Sequence, residues 1–343
     1  MGIPKYNLFA GGYPMQSILS FEGTTKVLRS DLAGRHLYTL GPLDLEVMRG
    51  EIFGYLGPNG AGKTTTIKLM MGLLRPTCGR IVYFDGATVT AARGKLGFLP
   101  EQPYFYQHLT ARELLGFYGR LFGLTGSVLG SRIDNMLRLI GLAEHADTRL
   151  SKFSKGMLQR IGLAQALINN PDIVILDEPL SGLDPVGRSE LRDIILKLKA
   201  EGRTVFFSSH ILQDVEMICD RVAILANGKI LKMAAVPEVL YGSVTGYEIV
   251  ASNAPANLIG KMSLGRLSVR GDKTVITMPP GIELNESLRR LMTLGVTIEA
   301  VNPLRQTLED YFVSQLKGGG QTPATEPVPK HRMFAETSKE NGL

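Results

Sequence analysis

Gly57-Pro58-Asn59-Gly60-Ala61-Gly62-Lys63-Thr64-Thr65-Thr66 decides the reading of this chain. Gly57, four intervening residues and Gly62-Lys63-Thr64 satisfy G-x-x-x-x-G-K-[ST], a loop whose glycine-exposed N–H groups cradle phosphate. Such a loop needs a strand before it and a helix after it. Residues 51–56 read as a short apolar strand, and from Lys63 onward Ile67, Met70, Met71 and Leu74 recur on one helical face. In this setting the backbone from Gly57 to Thr65 wraps phosphate, Lys63 supplies a point charge to the β and γ groups, and the Thr64 hydroxyl ligates Mg2+.

A second element of the same chemistry lies downstream. Asp172-Ile-Val-Ile-Leu-Asp177-Glu178 is an apolar strand ending in two acids. Adjacent ionised carboxylates repel, so a cation nearby is the natural reason to end a strand this way. Asp177 then holds the metal through water while Glu178 faces an attacking water as general base.

The rest of the chain alternates in texture. Strands are predicted at 43–47, 51–56, 80–84 and 96–99. Thr110-Ala-Arg-Glu113 is a capping box opening a helix with apolar positions at Leu114, Phe117, Tyr118 and Leu121, and Ile133, Met136, Leu137 and Ile140 repeat that spacing. A third helix opens at Ser154, an N-cap, with Met157, Leu158, Ile161, Ala164 and Ile168 on its buried side. Together these make a helical insert over about 109–170. Strand 172–177, helix 186–200, strand 204–208, a short helix and strand 221–225 follow; alternation of this kind means crossover connections and a largely parallel sheet. Asn227-Gly228 marks a tight hairpin. Strands at 247–251, 267–269, 274–278 and 297–301 with a helix at 285–294 describe a small α+β unit.

Length and composition agree with this plan. A chain of 343 residues, 44% hydrophobic and 20% charged, has room for one large domain and a smaller one. The net charge of +6 is too modest for a nucleic-acid footprint, so no nucleic-acid partner is expected, though it suits a surface beside anionic lipid. No apolar run reaches the ~18 residues of a spanning helix, the N-terminus lacks a basic region followed by an apolar one, and Cys78 and Cys219 fit a reducing compartment. The expectation is a cytoplasmic protein, neither secreted nor spanning a membrane.

Phe153-Ser154-Lys155-Gly156-Met157, placed between the loop and the acids, resembles the Leu-Ser-Gly-Gly-Gln signature of ATP-binding-cassette (ABC) transporter nucleotide-binding subunits. The resemblance spans roughly 21–235. It takes in Ser181-Gly182-Leu183-Asp184, similar to the family's D-loop, and His210, similar to its switch histidine. It implies that His210 contacts the γ-phosphate and that Ser154, Lys155 and Gly156 reach ATP bound by a second cassette, with Asp184 tying the halves together. In the family's glutamine slot this chain offers Glu101 or Gln102, and Tyr38 or His36 is its candidate to stack on adenine. Lys155 and Met157 depart from the family's Gly and Gln.

The fold expected is therefore α/β: a P-loop NTPase with a RecA-like parallel sheet, an N-terminal antiparallel β subdomain and an α-helical insert, plus a small C-terminal α+β domain. The expected divisions are an extension at 1–20, the cassette at 21–235, an accessory domain at 236–316 and a flexible tail at 317–343. The resemblance implies a Mg2+-dependent ATPase, dimerising head to tail, docked through its helical insert on a separate polytopic permease at the inner face of the cell membrane, and an exporter of the bacterial single-cassette kind. A ribosome- or DNA-acting relative is the alternative; against it stand one phosphate loop, no sustained heptads and two isolated cysteines.

Overall fold

The computed structural model describes residues 16–29, 37–241, 244–253 and 264–305. Strands β1 (Ser17–Arg29), β2 (Leu37–Met48) and β4 (Cys78–Tyr83) form an antiparallel sheet in the order β2-β1-β4. Between them in sequence comes β3 (Ile52–Leu56), which belongs to a different, six-stranded sheet. Its other members are β5 (Leu96–Leu99), β6 (Ile173–Leu176), β7 (Thr204–Ser209), β8 (Arg221–Ala226) and β9 (Lys229–Ala235), ordered β5-β6-β7-β3-β8-β9. All neighbours run parallel except the β8–β9 hairpin, which turns at Asn227 and Gly228, both with positive φ.

Strands β3, β6 and β7 are buried along their whole length, as expected of a parallel sheet covered on both faces. Their period of two sorts the core. Phe53, Tyr55, Ile173, Ile175 and Phe206 face the antiparallel sheet and helix α1 (Lys63–Met70). Ile52, Leu56, Val174, Leu176, Val205 and Phe207 face the helices of the insert. After the short α2 (Val89–Ala92), those helices are α3 (Ala111–Leu121), α4 (Gly126–Leu139) and α5 (Lys155–Leu167), followed by α6 (Pro185–Ala200), α7 (Leu212–Ile218) and α8 (Val236–Tyr241). Both halves of the capping box form: the Thr110 side chain accepts from Glu113 N–H, and Glu113 accepts from Thr110 N–H.

Beyond α8, β10 (Val244–Ser252), β11 (Arg266–Arg270), β12 (Lys273–Met278) and β13 (Thr297–Arg305) make a second antiparallel sheet, β11-β12-β10-β13. Leu291 of the helix Leu284–Thr293 packs on Ile249, Ala251, Ile276 and Met278, giving this unit a core of its own.

Three expectations need correction. Strand β1 begins at Ser17, inside the expected extension, because Ile18 and Leu19 are buried between β2 and β4. Helix α1 stops at Met70, four residues early, where Gly72 takes a left-handed conformation. Phe117 and Leu121, read as core positions of α3, are exposed, leaving Leu114, Leu115 and Ala111 to face the core. The expected tail at 317–343 and His36 lie outside the described residues.

At the N-terminal end of β3, Glu51 is buried, accepting from Met48 N–H at 2.7 Å and from Arg221 at 3.1 Å. Burial pushes its carboxyl up to about 7 against the pull of Arg221. A folded-state pKa above the ordinary 4.5 means that Glu51's contribution to stability is complete below that value and is lost as pH rises through about 7. Glu51→Gln, which never ionises, is expected to gain on the parent chain by on the order of 3 kcal/mol between pH 4.5 and 8. Urea unfolding at the two pH values measures this, and a pH-independent difference contradicts it.

Candidate functional site

Sheet order builds the site. Because β6, β7 and β3 lie side by side and run parallel, the segments leaving their C-terminal ends meet at one edge, where open α/β sheets bind ligands. From β6 come Asp177 and Glu178, from β7 His210, and from β3 the loop beginning at Gly57.

Close approach of backbone dictates the loop's glycines. A Cβ on Gly57 would stand 2.4 Å from the Leu225 carbonyl oxygen, and one on Gly62, already at φ +114°, would stand 2.6 Å from the Tyr38 hydroxyl. Behind the loop, the Ala61 carbonyl accepts from Tyr38 Oη at 2.6 Å and from Gly228 N at 3.2 Å. Strand β2 and the β8–β9 turn thus hold the loop from outside its own strand and helix. Inside, Thr66 Oγ1 lies 3.1 Å from the buried Tyr55 hydroxyl and donates to Gly62 O at 3.0 Å.

Lys63, although an ammonium, is buried. It donates to Gly57 O at 2.7 Å and Pro58 O at 3.2 Å, and pairs with Glu178 Oε1 at 3.0 Å. The other oxygen of Glu178 lies 2.6 Å from His210 Nδ1. Glu178 holds a left-handed backbone, φ +49°, which costs a non-glycine residue on the order of 1 kcal/mol. Ser208 helps to retain it: Glu178 N–H donates to Ser208 Oγ at 2.9 Å, and Ser208 Oγ donates in turn to Asp177 Oδ1 at 2.8 Å. Burial raises the pKa of Asp177, opposed by hydrogen bonds from Ser208 and Thr64 and by the charge of Lys63.

Lys63, Thr64, Glu178 and His210 line a cleft of about 630 Å3 that also takes in Gly62, Tyr38, Asn59, Gly60, Thr65, Glu101 and Ser181; Asp177 lies behind it. Glu101 lines it and Gln102 does not. Tyr38 stands at its wall with the hydroxyl spent on Ala61. Ser154, Lys155, Gly156 and Asp184 are elsewhere. They line a second cleft of about 390 Å3 that shares no residue with the first. There Ser154 caps α5, accepting from Met157 N–H at 3.3 Å, Asp184 caps α6, accepting from Gly187 N–H at 3.2 Å, and the Lys155 ammonium lies over Gly182, where a Cβ would stand 2.1 Å from it.

Sequence reasoning did not single out Ser208. The signal was present, since Phe206-Phe207-Ser208-Ser209 puts hydroxyls at the end of a fully buried strand, where each needs a partner.

Loop, flanking elements and acid pair make this a P-loop nucleotide-binding protein. The family model described as ABC transporter matches residues 40–181. An ABC transporter ATP-binding protein of Synechocystis sp. is 45% identical over 289 residues, 83% of this chain and 80% of that protein. The bacitracin transport ATP-binding protein of Bacillus licheniformis is 33% identical over 89% of this chain and 99% of its own. A solved structure of the ATP binding subunit of an ABC transporter matches at TM-score 0.57 and 30% identity, covering 65% of this chain and 92% of that one. The chain belongs to the ABC transporter family and is its ATP-binding cassette.

Lys63 spends its charge on Glu178, so a phosphate bound by the loop would compete with that carboxylate. Glu178→Gln removes the competitor and is expected to tighten ATP binding to the single chain roughly tenfold, equivalent to about 1.4 kcal/mol. Titration of a fluorescent ATP analogue at chain concentrations too low for association reads the change; an affinity equal to the parent's contradicts it.

Proposed function

We propose that this chain is the ATP-hydrolysing subunit of an exporter, and that two copies close head to tail over two ATP molecules to drive a separate membrane permease. The observation that carries this reading is the split between the clefts: Lys63, Thr64, Glu178 and His210 surround one, and Ser154, Lys155 and Gly156 line another. A second cassette, a second copy of this chain in this reading, would bring the signature segment to the triphosphate.

In that assembly the loop amides and Lys63 hold the β- and γ-phosphates. Thr64, Asp177 and Glu101 are the oxygen donors for Mg2+, which supplies charge neutralisation at the phosphates. The donor set fits such a hard cation, since the Asp177 carboxylate takes hydrogen bonds from the hydroxyls of Ser208 and Thr64 and so offers oxygen beside oxygen. Once Lys63 turns to phosphate, Glu178 is free to take the proton of the attacking water. That water's oxygen bonds to the γ-phosphorus, the bridging bond to the β-phosphate breaks, and ADP leaves with the electron pair. The proton on Glu178 passes to inorganic phosphate. His210, held at Glu178, contacts the γ-phosphate, so its loss on hydrolysis loosens the closed pair. Asp184, at the start of α6, would meet the second copy, and Tyr38, which lines the cleft, would stack on adenine.

The permease would dock on the helical insert, where Phe117, Leu121 and Phe122 are exposed on and just after α3 and Tyr104 is 89% exposed. No helix among the described residues is long and apolar enough to cross a membrane. In this reading a separate permease would span it, with this chain peripheral on the cytoplasmic face. The relative named for bacitracin transport supports an exporter. Within this reading the cassette runs from β1, which begins at Ser17, to 235, with 236–316 an accessory domain and 317–343 a tail.

Steady-state phosphate release with Mg2+, and its loss with EDTA, tests the enzyme. Glu178→Gln loaded with ATP and Mg2+ is expected to double in mass by light scattering while its turnover falls at least 100-fold. A strictly monomeric variant beside an active parent would sink the two-copy scheme, and unchanged turnover would exclude Glu178 as base.

A further inference from the structure

The mechanism leaves a charge cluster between α6 and α7 unused. Asp214, in the first turn of α7, has a side chain only 4% exposed, and it lies between two arginines of α6: Arg188 Nη2 at 2.9 Å and Arg192 Nη1 at 3.9 Å. The Arg188 Nε is itself buried without a hydrogen bond. Burial raises the pKa of Asp214, while Arg188, Arg192 and then His210 lower it, so the imidazole is within electrostatic range of this carboxylate.

Position in the chain gives the pair its meaning. Arg188 comes one helical turn after Asp184, the N-cap of α6, and donates its backbone N–H to Asp184 O at 3.0 Å. Asp214 comes four residues after His210, which Ile211 and the start of α7 join to it directly. Asp184 faces the second cleft and His210 the first. The Arg188–Asp214 bridge therefore links, within one chain, the segment that would meet a second copy to the histidine that touches Glu178. Stability alone explains such a pair poorly, because a buried ion pair is often matched by apolar residues of similar size.

We infer that Arg188 and Asp214 are positioning residues that lock α6 to α7, holding His210 at Glu178 and coupling it to the segment at Asp184 that a second copy would meet. This rests on the two-copy reading above. Neither residue touches the nucleotide cleft, so both act through His210.

The test is steady-state ATPase kinetics on the full chain. Arg188→Met and Asp214→Asn are each expected to lower kcat about tenfold with KM within twofold, the scale of a slightly misplaced catalytic group, and Arg188→Lys to recover at least half of the rate. In a His210→Ala background, Arg188→Met should lower the residual rate less than twofold, because the group it positions is already absent. The double substitution Arg188→Met with Asp214→Leu covers the case in which a single variant fails to fold: it removes both charges, and it should fold yet stay slow. Parent-like kcat in the folded double variant overturns the inference, as does a tenfold loss that persists undiminished without His210. If Glu178→Gln pairs on ATP while the double variant runs at the parent rate, only this inference falls; if Glu178→Gln does not pair, the two-copy reading falls first.

Discussion

Lys63 is a buried ammonium that has to be neutralised, and much of the site's arrangement follows from how the chain does so. Two backbone carbonyls of its own loop and one oxygen of Glu178 surround it. A buried charge left with one partner removed is costly, by several kcal/mol, so this lysine holds a carboxylate until something better arrives. A triphosphate is better: it carries more charge, and the loop amides meet it at the same time. In the proposed mechanism the Lys63–Glu178 contact would withhold Glu178 until phosphate takes its place on Lys63. Glu178 stays near because Ser208 and His210 hold it from the other side.

That arrangement depends on strands far apart in sequence becoming neighbours. β3 and β6 are separated by more than a hundred residues, yet β7 alone lies between them in the sheet. The insert of α3, α4 and α5 occupies the intervening chain without disturbing the edge, since its core packs on the opposite face from the antiparallel sheet. Small residues do the fine fitting. Gly57 and Gly62 let the loop pass against Leu225 and Tyr38, and Gly228 lets the hairpin turn lie on Thr39, where a Cβ would stand 2.3 Å from the carbonyl oxygen. The loop is therefore clasped by both sheets.

What could be read from the sequence was whatever is local. The phosphate loop, the Thr110–Glu113 capping box, the Asn227-Gly228 turn and the Ser154 cap each place their chemistry within a few residues, and each folds as its residues dictate. The acid pair was legible because an apolar strand rarely ends in two carboxylates without cause. Nonlocal features were not legible. The start of β1 at Ser17 depends on partners in β2 and β4 that no window around residue 17 contains. Exposure of Phe117 and Leu121 depends on how α4 crosses α3, and the choice between Glu101 and Gln102 on which of two adjacent side chains the loop after β5 turns inward. Ser208 falls between: its polarity was visible, its two partners were not.

Buried acids occur at both ends of the parallel sheet, and the contrast between them separates structure from chemistry. At the N-terminal end, Glu51 is answered by Arg221, itself stacked over Phe53, and Asp220 by Lys199 and the Ile52 amide. Each charge there has a fixed partner within the chain, so nothing is left for a ligand. At the C-terminal end the partners are shared. Glu178 divides its oxygens between Lys63 and His210, and Asp177 relies on the hydroxyls of Ser208 and Thr64 in place of a dedicated cation. Shared and hydroxyl partners are the ones that a metal ion and a phosphate can displace at modest cost, because every group they dislodge finds a new partner in the incoming ligand. The same sheet thus carries one end closed by paired charge and one end whose shared partners suit the exchange that the proposed ATP site would need.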